Sequence, residues 1–149
     1  MIRTKTFSWH ETVNLGKRFA KILKERDVVV LEGVLGGGKT TFVKGILKGL
    51  NFKENAISPS FTLVRQYNKR NLHIYHVDLY RLGGDDVFSI GIEDYLYAPG
   101  SITLIEWGEK IEGYLPSYIK VRFDFSRENI RKVSFSLKGL RDRKLNIFN

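Results

Sequence analysis

Apolar residues along this chain recur with two periods. Leu15, Phe19, Ile22 and Leu23 mark one face of a helix whose other face carries Lys17, Arg18, Lys21 and Lys24. Ser8-Trp9-His10-Glu11 opens that helix as a capping box, with Ser8 as N-cap and Glu11 reaching back. A second stripe, Phe42, Val43, Ile46, Leu47 and Leu50, predicts a helix ending near Gly49-Leu50-Asn51. Between them the unbroken run Val28-Val29-Val30-Leu31 is that of a strand covered on both faces, as in a parallel sheet. Arg3 to Ser8 predicts a short edge strand. Phe61 to Tyr67 and Leu72 to Leu79 predict a hairpin around the polar turn Asn68 to Asn71. Ile102 to Ile105 is another short strand, and Tyr118 to Phe125 with Ile130 to Leu137 alternate as a terminal hairpin. Short helices are expected from Asp85 or Asp86 to Ser89, from Gly91 to Leu96 and from Trp107 to Glu112, with a weakly helical end from Leu140 to Asn149.

The turn between the first apolar strand and the second helix carries chemistry. Gly33-Val34-Leu35-Gly36-Gly37-Gly38-Lys39-Thr40 reads G-x-x-x-x-G-K-T, a phosphate-binding P-loop in its strand–loop–helix context. Its glycines let several backbone N–H groups point at a phosphate, Lys39 adds a point charge and Thr40 a hydroxyl for Mg²⁺. The helix starting near Lys39 turns its positive end to the same anion. The expected fold is therefore an α/β P-loop NTPase, a three-layer α/β/α sandwich with a mostly parallel central sheet and antiparallel hairpins.

Two acids end apolar strands: Asp78 in His76-Val77-Asp78-Leu79-Tyr80-Arg81, and Glu106 after Ile105. Ligands of such sheets sit beyond the carboxyl ends of the strands, so Asp78 and Glu106 could converge with Thr40 on one Mg²⁺. The alternative for Asp78 is a cap on the following turn. His76 reads as a packed strand histidine rather than a catalytic base, and His10 as an exposed first-turn residue. Trp9 could flank an adenine ring or simply pack. Arg81 could pair with Asp85 or Asp86, or reach phosphate. Ser58-Pro59-Ser60-Phe61-Thr62 is either a turn or a segment near the γ-phosphate.

Composition narrows the field only slightly. The 149 residues suit one domain, 1–149, with a basic tail from about residue 138. Hydrophobic residues make up 42% and charged residues 28%, ordinary for a soluble globular protein. The absence of cysteine excludes disulfides, thiolate metal sites and a cysteine nucleophile. Nothing at the N-terminus resembles a signal peptide and the apolar runs are far too short to span a membrane, so a cytoplasmic location is expected. The net charge of +9 is spread over helices and the tail, with one local concentration from Arg127 to Lys144, where seven Lys/Arg stand against two acids. That tail either contacts nucleic acid such as tRNA, or an acidic partner, or only aids solubility.

In order and spacing these motifs identify a family. GVLGGGKTTF at Gly33 to Phe42, SPSFTLV at Ser58 to Val64, HVDLYRL at His76 to Leu82, GIEDYL at Gly91 to Leu96 and IEW at Ile105 to Trp107 resemble the small bacterial P-loop ATPases called TsaE or YjeE. The resemblance implies a weak ATPase that serves threonylcarbamoyladenosine formation next to the tRNA anticodon by associating with a TsaD–TsaB complex. It implies that Leu35, Gly36, Gly37, Gly38, Lys39 and Thr40 bind ATP phosphates and that Thr40 and Glu106 hold Mg²⁺. It places Asp78 in the nucleotide site, and makes Lys39, Asp78 and Glu106 the catalytic set. The family loop usually reads GDLGAGKT. Here Val34 replaces the acid, which bears on hydrolysis, and Gly37 replaces an alanine, which should be harmless. Ser60 replaces the threonine of the family's SPT segment, keeping a hydroxyl and losing a methyl. Two other readings remain open: a nucleotide-dependent interaction module that seldom hydrolyses, and a small-molecule P-loop kinase, for which no arginine-rich lid is evident between Gly83 and Pro99.

Overall fold

The computed structural model describes residues 1–57 and 63–148. The first strand, β1 (Ile2–Thr6), leads to helix α1 (Trp9–Ala20). Ser8 caps α1, its hydroxyl accepting the Glu11 N–H at 3.2 Å, while the Glu11 carboxylate accepts the Phe7 N–H at 2.9 Å. The apolar run forms β2 (Val28–Gly33), followed by helix α2 (Lys39–Gly49). Then come β3 (Val64–Lys69), β4 (Leu72–Asp78), β5 (Ser101–Glu106), β6 (Tyr118–Arg127) and β7 (Ile130–Lys138).

The strands form one seven-stranded sheet in the order β1-β7-β6-β2-β5-β4-β3. Its central strands β6, β2, β5 and β4 run parallel, and the pairs β1–β7, β7–β6 and β4–β3 are antiparallel. The terminal hairpin is thus built into the sheet: β6 extends the parallel centre and β7 recruits the N-terminal strand. Both hairpins close on two residues, Arg70-Asn71 and Glu128-Asn129, shorter than the polar stretch suggested for the first. Arg70 and Asn129 take positive φ there, as tight hairpin turns require.

Period-two alternation splits the apolar run of β2 between two cores. Val29 and Leu31 face α1 and α2 with Leu104, Val121, Phe123 and Phe135, while Val28 and Val30 face the opposite side with Val77 and Ile105. That opposite side is covered by Val87, Ile92, Ile111 and Leu115. These come from or beside 3₁₀ turns at Gly84–Phe88, Ile92–Asp94, Gly108–Lys110 and Glu112–Tyr114. The segment after Trp107 is therefore two 3₁₀ turns and not the single helix expected. With a positive φ at Trp107 and Gly113 three residues before Pro116, it has no room to propagate an α-helix.

The basic end is not helical either, and it does not form a free arm. Leu140 and Leu145 pack against the helix-side core and Ile147 is buried there. Arg143 grips both oxygens of Asp27 at 2.7 Å and also donates to the Ile22 carbonyl. Both side chains of this pair are nearly buried. Arg143→Ala leaves Asp27 buried without its counter-charge and is expected to cost about 3 kcal/mol, read as a lower urea midpoint. A midpoint unchanged from the parent would show that the tail does not fasten the fold.

Candidate functional site

Alternation that serves the cores also delivers the polar residues. On β4, Ile74 faces α2, so His76 and Asp78 follow on the same side; on β5, Ile102 and Leu104 lead to Glu106. Asp78 and Glu106 are direct partners in the parallel register, and both are buried. Two neighbouring carboxylates at the carboxyl end of a parallel sheet, with no spacer between them, form an electrostatically costly arrangement unless a cation is shared.

Helix α2 starts at that edge. Gly38, the residue before it, has φ 108° and offers no side-chain cap, so the first N–H groups of the helix remain available to an anion. Only glycine takes that backbone geometry without strain. A cavity of about 330 Å³ opens here, lined by Leu35, Gly36, Gly37, Gly38, Lys39, Thr40, Thr41, Asp78, Tyr80, Glu106 and Trp107. Every residue predicted to bind phosphate, and both strand-end acids, border this one space.

Thr40 donates its hydroxyl to Glu106 Oε1 at 2.8 Å, and His76 Nε2 meets the same oxygen at 2.8 Å. The set gathered at Thr40, Glu106 and Asp78 is all oxygen, the donor chemistry of a hard cation such as Mg²⁺. Thr40 and Glu106 would supply part of the shell, leaving the remainder to phosphate oxygens and water. Asp78 Oδ1 accepts the Tyr80 N–H at 2.9 Å, so the capping alternative is realised at the same time as its place in the cavity.

Lys39 Nζ donates to the carbonyls of Gly33 and Val34, the second at 2.9 Å, and lies 4.5 Å from the Trp107 ring centre. Burial pushes this ammonium below the usual lysine range, opposed by the charges of Glu106, Glu109 and Asp78. Its bonds are to neutral carbonyls, so a phosphate would offer it a stronger, charge-assisted partner. Burial likewise raises the Glu109 carboxyl, against its own backbone hydrogen bond and with Glu32 adding to the rise.

One expectation, the contact of Trp9 with an adenine ring, is not met at this cavity. Trp9 is 54% exposed, stacks on His10 with ring centres 4.0 Å apart, and does not border the cavity. The Val34 side chain is 56% exposed and borders an adjoining hollow with Glu32, Trp107, Glu109 and Phe125, while its carbonyl serves Lys39 and Gly37. A Cβ at Gly37 would lie 2.8 Å from the Val34 carbonyl oxygen, so the missing methyl lets the loop close as tightly as it does. Ser58 to Thr62, the segment considered for the γ-phosphate, lies outside the described residues.

The structure adds residues that the sequence did not single out for the site. Tyr80 and Trp107 pack with ring centres 5.0 Å apart and both line the cavity. Lys110 donates to the carbonyls of Leu79, Tyr80 and Leu82 at 2.5–2.9 Å, fastening the turn that follows Asp78. An aromatic residue one or two places after each strand-end acid was the signal available for the first pair. The Lys110 clamp left none, because its acceptors are backbone atoms.

The family model described as threonylcarbamoyl adenosine biosynthesis protein TsaE matches residues 6–133. This chain belongs to the TsaE family. The TsaE of Treponema pallidum is 41% identical over 133 residues, which cover 85% of this chain and 97% of that protein. The Bacillus subtilis TsaE is 35% identical over 141 residues, covering 94% and 88%. Among solved structures, the crystal structure of Bacillus subtilis YdiB superposes with a TM-score of 0.78 at 32% identity, covering 94% of this chain and 87% of that one. The TsaE match runs from the end of β1 into β7, so it takes in the P-loop, Asp78 and Glu106 together. The fold is the P-loop NTPase-like α/β fold of this family. Among the described residues no helix is long and apolar enough to cross a membrane.

Proposed function

We propose that this TsaE-family chain binds ATP with Mg²⁺ in the cavity at the start of α2 and hydrolyses it slowly. It does so in the service of threonylcarbamoyladenosine formation in tRNA, acting on a TsaD–TsaB complex. The observation that carries the nucleotide site is the 2.8 Å contact between Thr40, on the P-loop helix, and Glu106, from β5, beside the buried Asp78. A P-loop alone would support nucleotide binding; the two strand-end acids joined to it support a metal–nucleotide site.

In this reading the backbone N–H groups from Gly36 to Thr40 bind the phosphates, and Lys39 exchanges its carbonyl partners for phosphate oxygens. Both counter the charge on the transferring phosphoryl group. Thr40 and Glu106 hold Mg²⁺, which when bound supplies further positive charge against those oxygens. In the same reading Asp78 orients the metal or the attacking water, and its bond to the Tyr80 N–H fixes one carboxylate oxygen. The Asp78–Arg81 turn, fastened by Lys110, is the described segment best placed to relay nucleotide state to a partner.

The test is ATP turnover by the purified chain with and without a TsaD–TsaB complex. Slow release of phosphate alone, rising severalfold with the complex, is the expected result. Equal and fast rates would overturn partner activation. A second reading, ATP bound but seldom hydrolysed, is favoured by Val34, which places an apolar side chain beside the loop where an acid stands in the usual family motif. Single-turnover measurement of bound ATP separates the two: persistence of intact ATP in the presence of the complex would establish the second.

A further inference from the structure

His76 is absorbed by neither the fold nor the hydrolytic scheme. It sits in the interior of β4 at 0% exposure, where an aliphatic side chain would pack without polar cost. Its Nε2 lies 2.8 Å from Glu106 Oε1, and its Nδ1 is buried with no hydrogen-bond partner among the described residues. A carboxylate can only accept, so Nε2 carries the hydrogen and donates it. The unpartnered Nδ1 lone pair is a cost that the chain bears at this position.

Among the described residues the Glu106 carboxylate accepts two hydrogen bonds, both on Oε1, from Thr40 and from His76. They differ in kind. Thr40 belongs to the P-loop helix and is itself a prospective metal ligand. His76 lies outside that set, held in β4 one strand over, beside Leu104 in the register. It can keep its bond to Glu106 while Thr40 turns to a cation. Oε2 accepts no hydrogen bond among the described residues, which leaves that oxygen for a metal or its water.

Resting on the metal–nucleotide reading above, we propose that His76 is a positioning residue. By donating from Nε2 to Glu106 Oε1 it holds the carboxylate with its second oxygen presented to the Mg²⁺ of the bound nucleotide. Groups that orient a ligand carboxylate in this way commonly govern about 10–100-fold of metal affinity. His76 therefore acts on the metal-dependent part of nucleotide binding and leaves the P-loop's grip on phosphate unchanged.

The experiment is calorimetric titration with a non-hydrolysable ATP analogue, in Mg²⁺ and in EDTA, for the parent chain, His76→Leu and His76→Gln. Glutamine keeps an N–H at a comparable reach; leucine removes it. The ratio of the two dissociation constants reads the metal's contribution, and melting temperatures report folding. His76→Leu is expected to lose about tenfold of that ratio with unchanged affinity in EDTA, and His76→Gln to retain most of it. A full ratio in His76→Leu, or equal losses with and without Mg²⁺, overturns the proposal. If the parent itself shows no Mg²⁺ effect, the metal reading of Glu106 fails first and the role of His76 goes with it. Should His76→Leu not fold, His76→Gln against His76→Asn makes the same comparison, since the shorter amide cannot reach Glu106; equal ratios in that pair would also overturn it.

Discussion

Lys39→Ala is expected to lower ATP turnover by about a hundredfold or more, the scale seen when one group that stabilises transition-state charge is removed. Among the described residues Lys39 is the side-chain cation that lines the cavity, and its ammonium is buried beside Trp107, within the field of Glu106, Glu109 and Asp78. Burial makes the charge more effective toward a phosphate, because less solvent competes for it. Its hydrogen-bond acceptors are two backbone carbonyls, which are cheap to leave for an anion. The substitution should spare the fold, since no carboxylate forms an ion pair with this ammonium among the described residues and its loss removes a buried charge. Phosphate release together with the melting temperature checks both halves: turnover near the parent rate would remove Lys39 from the reaction, and a collapsed melting temperature would assign it to the fold.

Gly45→Ala is expected to destabilise the protein by about 3 kcal/mol, lowering the melting temperature by roughly 10 °C. A Cβ at Gly45 would stand 2.1 Å from the Val13 carbonyl oxygen and 2.9 Å from the Gly16 Cα. A Cβ at Gly16 would in turn stand 2.3 Å from the Phe42 carbonyl oxygen. The two helices therefore touch backbone to backbone at paired glycines, and no side chain can rotate away to relieve the clash. Alanine's better helix propensity returns only about 1 kcal/mol. Since α2 begins with Lys39 and Thr40, the separation that accommodates a methyl also tilts the phosphate site. Affinity for nucleotide should fall with stability. Gly113→Ala, with open space around its Cβ position, serves as the control and should stay within about 0.5 kcal/mol of the parent. Equal melting temperatures for the two variants would show that α1 and α2 can part freely.

The candidate site was unusually legible because its chemistry is tied to local patterns. A P-loop needs its glycines, lysine and threonine in one stretch, between a strand and a helix, and all of those are read from contiguous residues. Asp78 and Glu106 were legible because an acid ending an apolar strand contradicts the strand's own pattern. Trp9 illustrates the limit. Its place near a helix start suggested an adenine contact, but whether an aromatic ring reaches a cavity depends on the angle between elements, and here it stacks on His10. His76 shows a different limit. A histidine on a buried strand face reads as packing, and packed it is. Its bond to Glu106 exists only because β4 and β5 pair in parallel with Asp78 opposite Glu106.

The chain by itself determined that an apolar strand, a glycine loop and an amphipathic helix follow one another, and that two further strands end in acids. These follow from period, backbone freedom and residue chemistry, which act over a few neighbouring residues. Only the tertiary structure decided which strands are neighbours, and with that which side chains share an oxygen atom. It joined β6 to β2, recruited β1 as the edge partner of β7, replaced an expected helix by 3₁₀ turns and drew the basic tail onto Asp27. Such outcomes depend on contacts between residues far apart in the chain, where no local pattern records the partner. The 2.8 Å meeting of Thr40, His76 and Glu106 is of that kind: three residues from three elements, brought to one atom by strand order and register.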